Sequence, residues 1–279
     1  MKKNLKVLVT GASGFLGSYI HKLLRVTAGY SCIPTSNSNK FKEYINIDLT
    51  NYDQLLKMIY EVNPDVIVNC AACVDFGNAV LSKQYDLNVV VPSIFASWAK
   101  KNSKHLIQIS MATIYGKYTE NIDENSPVLI DSDYAKSKWL ADEMIKSSGC
   151  KFTILRFGGI YGVNGPNHLK LNANLKAISN NERPIIQSGG DAKRNYIHVH
   201  DAANDIINTI KRDISGVHLL SGTEILSFSE MIFQACNHRN KNLLPISAKS
   251  NDEIKDQIIK RSNDFGKTKS FNYWLKEEL

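Results

Sequence analysis

The sequence predicts an α/β protein, with a doubly wound parallel sheet in a first domain over residues 1–160, rejoined by about 194–212. A smaller mixed α/β lobe is expected over 161–279. Three observations predict this. Short runs apolar at every position alternate with stretches of helical period, and strands apolar on both faces belong to parallel sheets covered by helices on each side. The length, 279 residues, suits one large domain or two modest ones at roughly 100–200 residues each. After Gly162 the alternation weakens into loops rich in Asn, Gly and Pro, at Val163–His168 and Ser188–Lys193.

Leu5–Thr10 reads as the first strand, and Phe15, Leu16, Ile20, Leu23 and Leu24 then recur at helical spacing. Tyr30–Pro34 and Tyr44–Leu49 are further strand-length runs. Leu55, Leu56, Ile59 and Val62 mark a helix that Asn63-Pro64 ends. Asp65–Cys70, Leu106–Ser110 and Phe152–Arg156 continue the strands, with helices expected over about Ser82–Lys101 and Tyr134–Ser147.

Composition narrows the class. A hydrophobic share of 43% can bury a core, which excludes a disordered chain. Five Cys, odd in number and irregular in spacing, make no disulfide framework and suit a reducing compartment. No apolar run approaches the roughly 20 residues needed to span a bilayer, and Leu5–Val9 is too short for a signal segment. A cytoplasmic protein without a membrane partner is the expectation. The 34 Lys+Arg against 27 Asp+Glu give +7, yet no Lys/Arg run exceeds two residues. Nucleic-acid binding wants clustered cations with interleaved aromatics, so no nucleic acid is expected. A solvated surface, or attraction of phosphate-bearing small ligands, accounts for the charge.

Thr10-Gly11-Ala12-Ser13-Gly14-Phe15-Leu16-Gly17 joins the first strand to the first helix. Glycines there permit a tight turn, let a pyrophosphate reach the backbone and let the helix pack close to the sheet, while the helix N-terminus supplies unpaired N–H groups. A tight turn without a ligand is the plain alternative. A dinucleotide site of the NAD type usually carries an acid at the end of the second strand. This chain has Thr35-Ser36-Asn37-Ser38-Asn39-Lys40 there, without a carboxylate. Hydroxyls, amides and Lys40 suit a 2′-phosphate, predicting NADP(H) over NAD(H), unless the loop has no say in cofactor choice.

Tyr134-Ala135-Lys136-Ser137-Lys138 puts a phenol and an ammonium four residues apart, on one face of a helix. A nearby cation favours phenolate, so Tyr134 is expected to titrate low enough to serve as an acid or base near neutral pH. Alone, the pairing is common on surface helices; downstream of a dinucleotide turn it becomes a catalytic candidate.

With these residues in place, the chain resembles the extended short-chain dehydrogenase/reductases, the NAD-dependent epimerase/dehydratase group acting on nucleotide sugars. The resemblance runs through Thr10–Gly17, Asp48-Leu49, Asn69–Ala72, Asn88, Ser110–Gly116, Tyr134–Lys138, Leu155–Gly162 and Arg194–Asp201. Asn63–Ala72 and Lys260–Lys269 look most like the dTDP-4-dehydrorhamnose reductase branch. The resemblance implies a Rossmann fold in which Gly11, Ser13, Gly14, Phe15, Leu16 and Gly17 hold the pyrophosphate, with Ser36 and Lys40 beyond the second strand. It implies that Asp48 and Leu49 flank the adenine, that Ala71 and Ala72 line the nicotinamide ribose and that Asn88 sits behind the cofactor. Tyr134 would then be the proton donor or acceptor, Lys138 would hold the ribose hydroxyls, and Arg194 would face the substrate's phosphates.

Three departures from that pattern stand out. Met111 occupies the place of the family's Ser or Thr that holds the reacting carbonyl, and a thioether donates no hydrogen bond. Thr113, two residues on, faces the same side of an extended chain and is the candidate stand-in for catalysis and substrate binding; Ser110 is expected to face away and meet the backbone. Gly159 stands where epimerases of the group often carry a substrate-binding Asn. Ala112-Thr113 replaces the Asp-Glu pair of the dehydratases, which argues against dehydration.

Cys70-Ala-Ala-Cys73 has redox spacing but reads as packing, and His198 and His200 lack a ligand set, so no metal is expected. The apolar stripe from Leu81 to Trp98 suits packing on the sheet, and the resemblance adds a homodimer interface. The leading expectation is an NADP(H)-dependent reductase of the keto group of a nucleotide-activated (deoxy)hexose. The alternatives are an NAD-dependent 4-epimerase using the same residues, and a weakly catalytic, dinucleotide-binding regulatory subunit, suggested by Met111.

Overall fold

The computed structural model describes residues 4–74, 81–187, 190–248 and 255–279. The chain opens with β1 (Leu5–Thr10), α1 (Phe15–Val26), β2 (Tyr30–Ser36), β3 (Ile45–Asn46), α2 (Tyr52–Val62) and β4 (Val66–Asn69). There follow α3 (Leu81–Tyr85), a π turn (Asp86–Val90), α4 (Val91–Asn102), β5 (His105–Met111), a 3-10 turn (Ala112–Tyr115), β6 (Asn121–Ile122), α5 (Asp133–Ser148) and β7 (Lys151–Phe157). Next come β8 (Ile160–Tyr161), α6 (Lys170–Ser179), β9 (Ile185–Gln187), β10 (Lys193–Arg194), β11 (Ile197–His198) and α7 (Val199–Arg212). The chain closes with β12 (Gly216–Leu220), β13 (Leu226–Ser227), α8 (Phe228–Arg239), β14 (Ile246–Ala248), β15 (Ile258–Ile259) and α9 (Phe271–Glu278).

Seven strands form one sheet in the order β12-β7-β5-β4-β1-β2-β3. The pairings from β3 through β5 are parallel, with Val7 opposite Cys32 on one side and Val66 on the other. The strand order therefore reverses between β1 and β4, and the carboxyl ends of these two strands flank the crevice where such sheets bind ligands. The doubly wound α/β class expected from the apolar runs is the one observed. Val66–Asn69 is buried at every position, as continuous apolar runs covered on both faces require.

The chain divides into two units. The first comprises Met1–Ile114, Val128–Arg156 and Ala203–His218, the second Tyr115–Pro127, Phe157–Ala202 and Leu219–Leu279. The first unit takes back Ala203–His218 after the second has begun. Tyr115–Pro127 goes to the second unit because β6 pairs with β15, Asn121 opposite Ile258 and Ile122 opposite Ile259. The first unit's core sets Leu8, Ile67, Leu106 and Ile154 of the sheet against Phe95 and Trp98 of α4, with Ile145 of α5. The second unit has its own core, where Leu171, Leu175 and Ile178 meet Met231, Ile232 and Phe271.

Two elements differ from their sequence expectation. The Tyr44–Leu49 run yields only a two-residue edge strand, and Ile47 and Leu49 go into the core instead. The helix expected over Ser82–Lys101 is broken by the π turn, which lies one turn before Pro92. Proline offers no N–H to the helical ladder, and that local irregularity carries Asn88. Among the described residues no helix is long and apolar enough to cross a membrane, and no group of three or more His, Cys, Asp or Glu is placed to hold a metal.

Candidate active site

The glycine turn lies at the carboxyl end of β1. Gly11 has φ +62, and a Cβ there would stand 2.9 Å from the Ala71 nitrogen. At Gly17 a Cβ would stand 2.2 Å from the Gly11 carbonyl oxygen, so only glycine lets α1 pack this close to the turn. Gly14 is the N-cap of α1, and no side chain caps the helix or places an acid in its first turn. Its first N–H groups thus face outward unclaimed by a side chain, a cradle that fits the pyrophosphate of a dinucleotide. Ser13, exposed, meets the buried Ser36 hydroxyl at 2.7 Å, and the Ala12 N–H donates to the Thr35 carbonyl at 3.0 Å. The end of β2 is thereby tied to the turn. Lys40 is exposed four residues further on, and the segment Thr35–Lys40 carries no carboxylate. Asp48 is exposed and accepts both the Thr50 N–H and hydroxyl, which hold its carboxyl below the usual range, while Leu49 is buried.

Beyond β4, the Ala71 N–H donates to the Thr10 hydroxyl at 3.2 Å, and that hydroxyl donates to the side-chain Oδ1 of Asn69 at 2.6 Å. Ala71 and Ala72 are half-buried. Asn88, 1% exposed, accepts the Cys73 N–H at 2.8 Å and donates to the Cys73 carbonyl at 2.9 Å and the Ser137 hydroxyl at 3.1 Å. It braces the segment after β4 against α5, behind the crevice.

α5 starts cleanly because the Ser132 side chain accepts the Ala135 N–H, and it ends at Gly149 in the left-handed region. Its buried face includes Ser137, Lys138, Ala141, Asp142 and Ile145. The spacing of three and four residues is that of a core-facing stripe, here with three polar members. Lys138 is 2% exposed, and its Nζ donates to the Ile109 carbonyl of β5 at 2.6 Å. Burial lowers its pKa to about 8 against the opposing pull of Asp142. Tyr134 is half-buried, and its hydroxyl makes no hydrogen bond among the described residues.

Burial pushes the Tyr134 phenol up to about 12, and Cys73 adds to the rise. This corrects the expected direction, in which the ammonium one turn away would favour phenolate. That ammonium is engaged by the Ile109 carbonyl, and desolvation governs the phenol instead. Tyr134 is therefore a neutral hydroxyl with a proton to give.

The strand end departs further from expectation. Beyond Met111 the chain turns at once into the 3-10 segment, so Thr113 does not follow Met111 along an extended strand. Thr113 is exposed and makes no hydrogen bond among the described residues. Ser110, fully buried, meets a side chain and not the backbone: its hydroxyl donates to Asp142 Oδ2 at 3.1 Å. Sequence reasoning passed over Asp142 and Arg156, although Asp142 lies one further turn along the face that Tyr134 and Lys138 begin.

In the second unit a cavity of about 820 Å³ is walled by His168, Lys170, Arg183, Arg194, Tyr196 and Phe228 among others. Arg194 Nη1 is fixed by the carbonyls of Lys193 and Lys255, at 2.7 and 2.6 Å. Lys170, Arg183 and Arg194 outnumber Glu182 and Asp191 in the lining, and with the aromatic rings beside them they suit a phosphorylated ligand carrying a planar group. A Cβ on Gly159 would stand 2.1 Å from a ring carbon of Tyr196, so that ring fills the place an Asn side chain would take. Cys70 is pushed up to about 12 by burial, which leaves it an inert thiol.

Comparison with known proteins adds the following. Residues 7–218 match the family described as the NAD dependent epimerase/dehydratase family. A dTDP-4-dehydrorhamnose reductase of Aggregatibacter actinomycetemcomitans is 28% identical, over 59% of this chain and 55% of that protein. A UDP-glucose 4-epimerase of Pisum sativum is 25% identical, over 74% of this chain and 72% of its own length. Among solved structures, the UDP-glucuronic acid 4-epimerase of Bacillus cereus in complex with UDP-glucuronic acid and NAD superposes with a TM-score of 0.85 at 20% identity, covering 98% of each chain.

Proposed function

The chain belongs to the NAD dependent epimerase/dehydratase family, and from that premise we propose that it is an NADP(H)-dependent reductase of the keto group of a nucleotide-activated (deoxy)hexose. Family membership supports the coarser statement directly: an enzyme that uses a nicotinamide dinucleotide. The observation that carries the finer reading is the segment Thr35–Lys40 at the end of β2, which offers Lys40 and no carboxylate; Tyr134 and Lys138, together on α5, serve either reading.

Gly11, Gly14 and Gly17 with the α1 N-terminus would hold the pyrophosphate, and Ala71 and Ala72 would border the nicotinamide ribose. When bound, the reduced cofactor supplies hydride and no positive charge. Tyr134 Oη donates its proton to the carbonyl oxygen as negative charge builds there. Lys138, charged below about pH 8, stands one helical turn from the phenolate left behind. Thr113, with its hydroxyl unclaimed, is the candidate to hold the same oxygen where Met111 has no donor to offer. The absence of a carboxylate in Thr35–Lys40, with Lys40 exposed there, favours the 2′-phosphate of NADP(H). In the second unit, Arg194, Arg183 and Lys170 would take the diphosphate and the rings of Tyr196 and Phe228 would border the base.

The 4-epimerase reading has the Pisum sativum relative in its favour and uses the same residues. A panel of UDP- and dTDP-linked 4-keto-hexoses incubated with NADPH or NADH separates the two. Consumption of NADPH in step with alcohol formation supports the reductase. Interconversion of 4-epimers by an enzyme that copurifies with NAD, with no net consumption of reduced cofactor, would replace it.

A further inference from the structure

Beneath Lys138 lies a buried polar cluster that the steps above leave unused. Asp142 is fully buried one turn further along α5 and shares the inward face of Lys138. Its Oδ2 accepts Arg156 Nε of β7 at 2.9 Å and the Ser110 hydroxyl of β5 at 3.1 Å. Its Oδ1 has no hydrogen-bond partner among the described residues. An ionised oxygen buried without a donor is costly unless a cation lies close, and the cation one turn back is Lys138.

We propose that Asp142 is a positioning residue for Lys138: clamped from two strands by Arg156 and Ser110, its carboxylate keeps the Lys138 ammonium charged and seated on the Ile109 carbonyl. The inference rests on the reading of Lys138 given under the proposed function. Charge balance carries it. Arg156 does not give up its proton in a protein, so without Asp142 the interior would enclose two cations. Lys138 is the one able to shed its proton, and it would do so at lower pH. The titratable and charged groups acting on Lys138 are Asp142 on its own helix, which favours the charged form, and Cys70 beyond β4, which as a thiol pushed up to about 12 is uncharged where Lys138 titrates. Burial opposes Asp142 and prevails. Desolvation raises the Asp142 pKa above the usual carboxylate range, and Arg156, Lys138 and the Ser110 hydroxyl pull the other way, toward the carboxylate.

The test is a pH titration of the Lys138 Cε resonance by carbon-13 NMR of the intact chain, assigned by its disappearance in Lys138→Arg. The midpoint is expected at about 8 in the unaltered chain. In Asp142→Asn it should fall by about one pH unit or more, and Asp142→Glu should restore most of the loss. Ser110→Ala keeps the ion pair and removes one clamp, so it should move the midpoint the same way by less. That second variant covers failure of Asp142→Asn to fold. A purely structural Asp142 predicts unchanged Lys138 titration in every folded variant, and that result would overturn the proposal. The measurement needs neither cofactor nor turnover. A chain that binds no NADPH or NADH would sink the functional reading and leave the titration result standing.

Discussion

In the first unit the groups proposed to carry chemistry stand on regular elements. Tyr134 and Lys138 are on α5, and the glycine turn is bounded by β1 and α1, next to the reversal of strand order. In the second unit the cavity wall is drawn from loops, helix ends and two-residue strands such as Lys193–Arg194. The contrast matches the demands of the role proposed for each. Proton and hydride transfer tolerate little misplacement, and a parallel sheet fixes backbone positions through ladders on both sides. Choice among sugars and bases is met by loops, which change side chains without disturbing a core. Substitutions in the first unit should therefore alter stability and cofactor affinity, and those in the second should alter substrate affinity alone.

The largest expected effect lies in the buried cluster. Arg156→Met leaves Asp142 buried without its ion pair and should destabilise the chain by about 3–5 kcal/mol in denaturant titration, whereas the double change with Asp142→Leu should recover most of that. Equal destabilisation by both would show that the charge plays no part. Gly17→Val drives side-chain atoms into the turn, where even a Cβ would lie 2.2 Å from the Gly11 oxygen. NADPH affinity, followed by nicotinamide fluorescence, should weaken about 100-fold or more, near 3 kcal/mol. Unchanged affinity would mean the turn is no cofactor cradle.

Arg194→Ala belongs to the other side of the comparison. Binding of UDP or dTDP should weaken roughly 10- to 100-fold with NADPH affinity untouched, as loss of one guanidinium–phosphate pair implies. If both ligands weaken together, the division of labour between the units is wrong. The smallest effect concerns His105, buried in β5, whose pKa burial lowers to about 4. The unfolded chain takes up this proton near its ordinary value of 6.5 while the folded chain does not. Its contribution is therefore full above pH 6.5 and falls away as pH drops toward 4. His105→Gln should flatten that part of the stability profile; an unaltered slope would assign it elsewhere.

The glycine turn and the Tyr134–Lys138 pair were legible because each is local: a spacing along the chain fixes the turn or the helical face. Apolar runs exposed the strands for the same reason. What escaped depended on distant partners. Asp142 is a polar residue on an amphipathic helix until Arg156 and Ser110 come to it from β7 and β5. The direction of the Tyr134 shift needed knowledge of burial, which sequence spacing does not contain. Thr113 was placed by strand periodicity, which holds only while the chain stays extended, and it coils immediately after Met111. Tyr115–Pro127 joined the second unit through β15, well over a hundred residues away in the sequence.

Tyr134→Phe tests the central claim most directly, because it removes one hydroxyl and leaves the ring in place. With NADPH and a nucleotide-linked 4-keto-hexose that the unaltered chain reduces, turnover should drop roughly 10²–10⁴-fold while NADPH affinity stays within about twofold. Turnover within tenfold of the unaltered chain at full cofactor occupancy would mean that another group delivers the proton, and the account of this helix would fail.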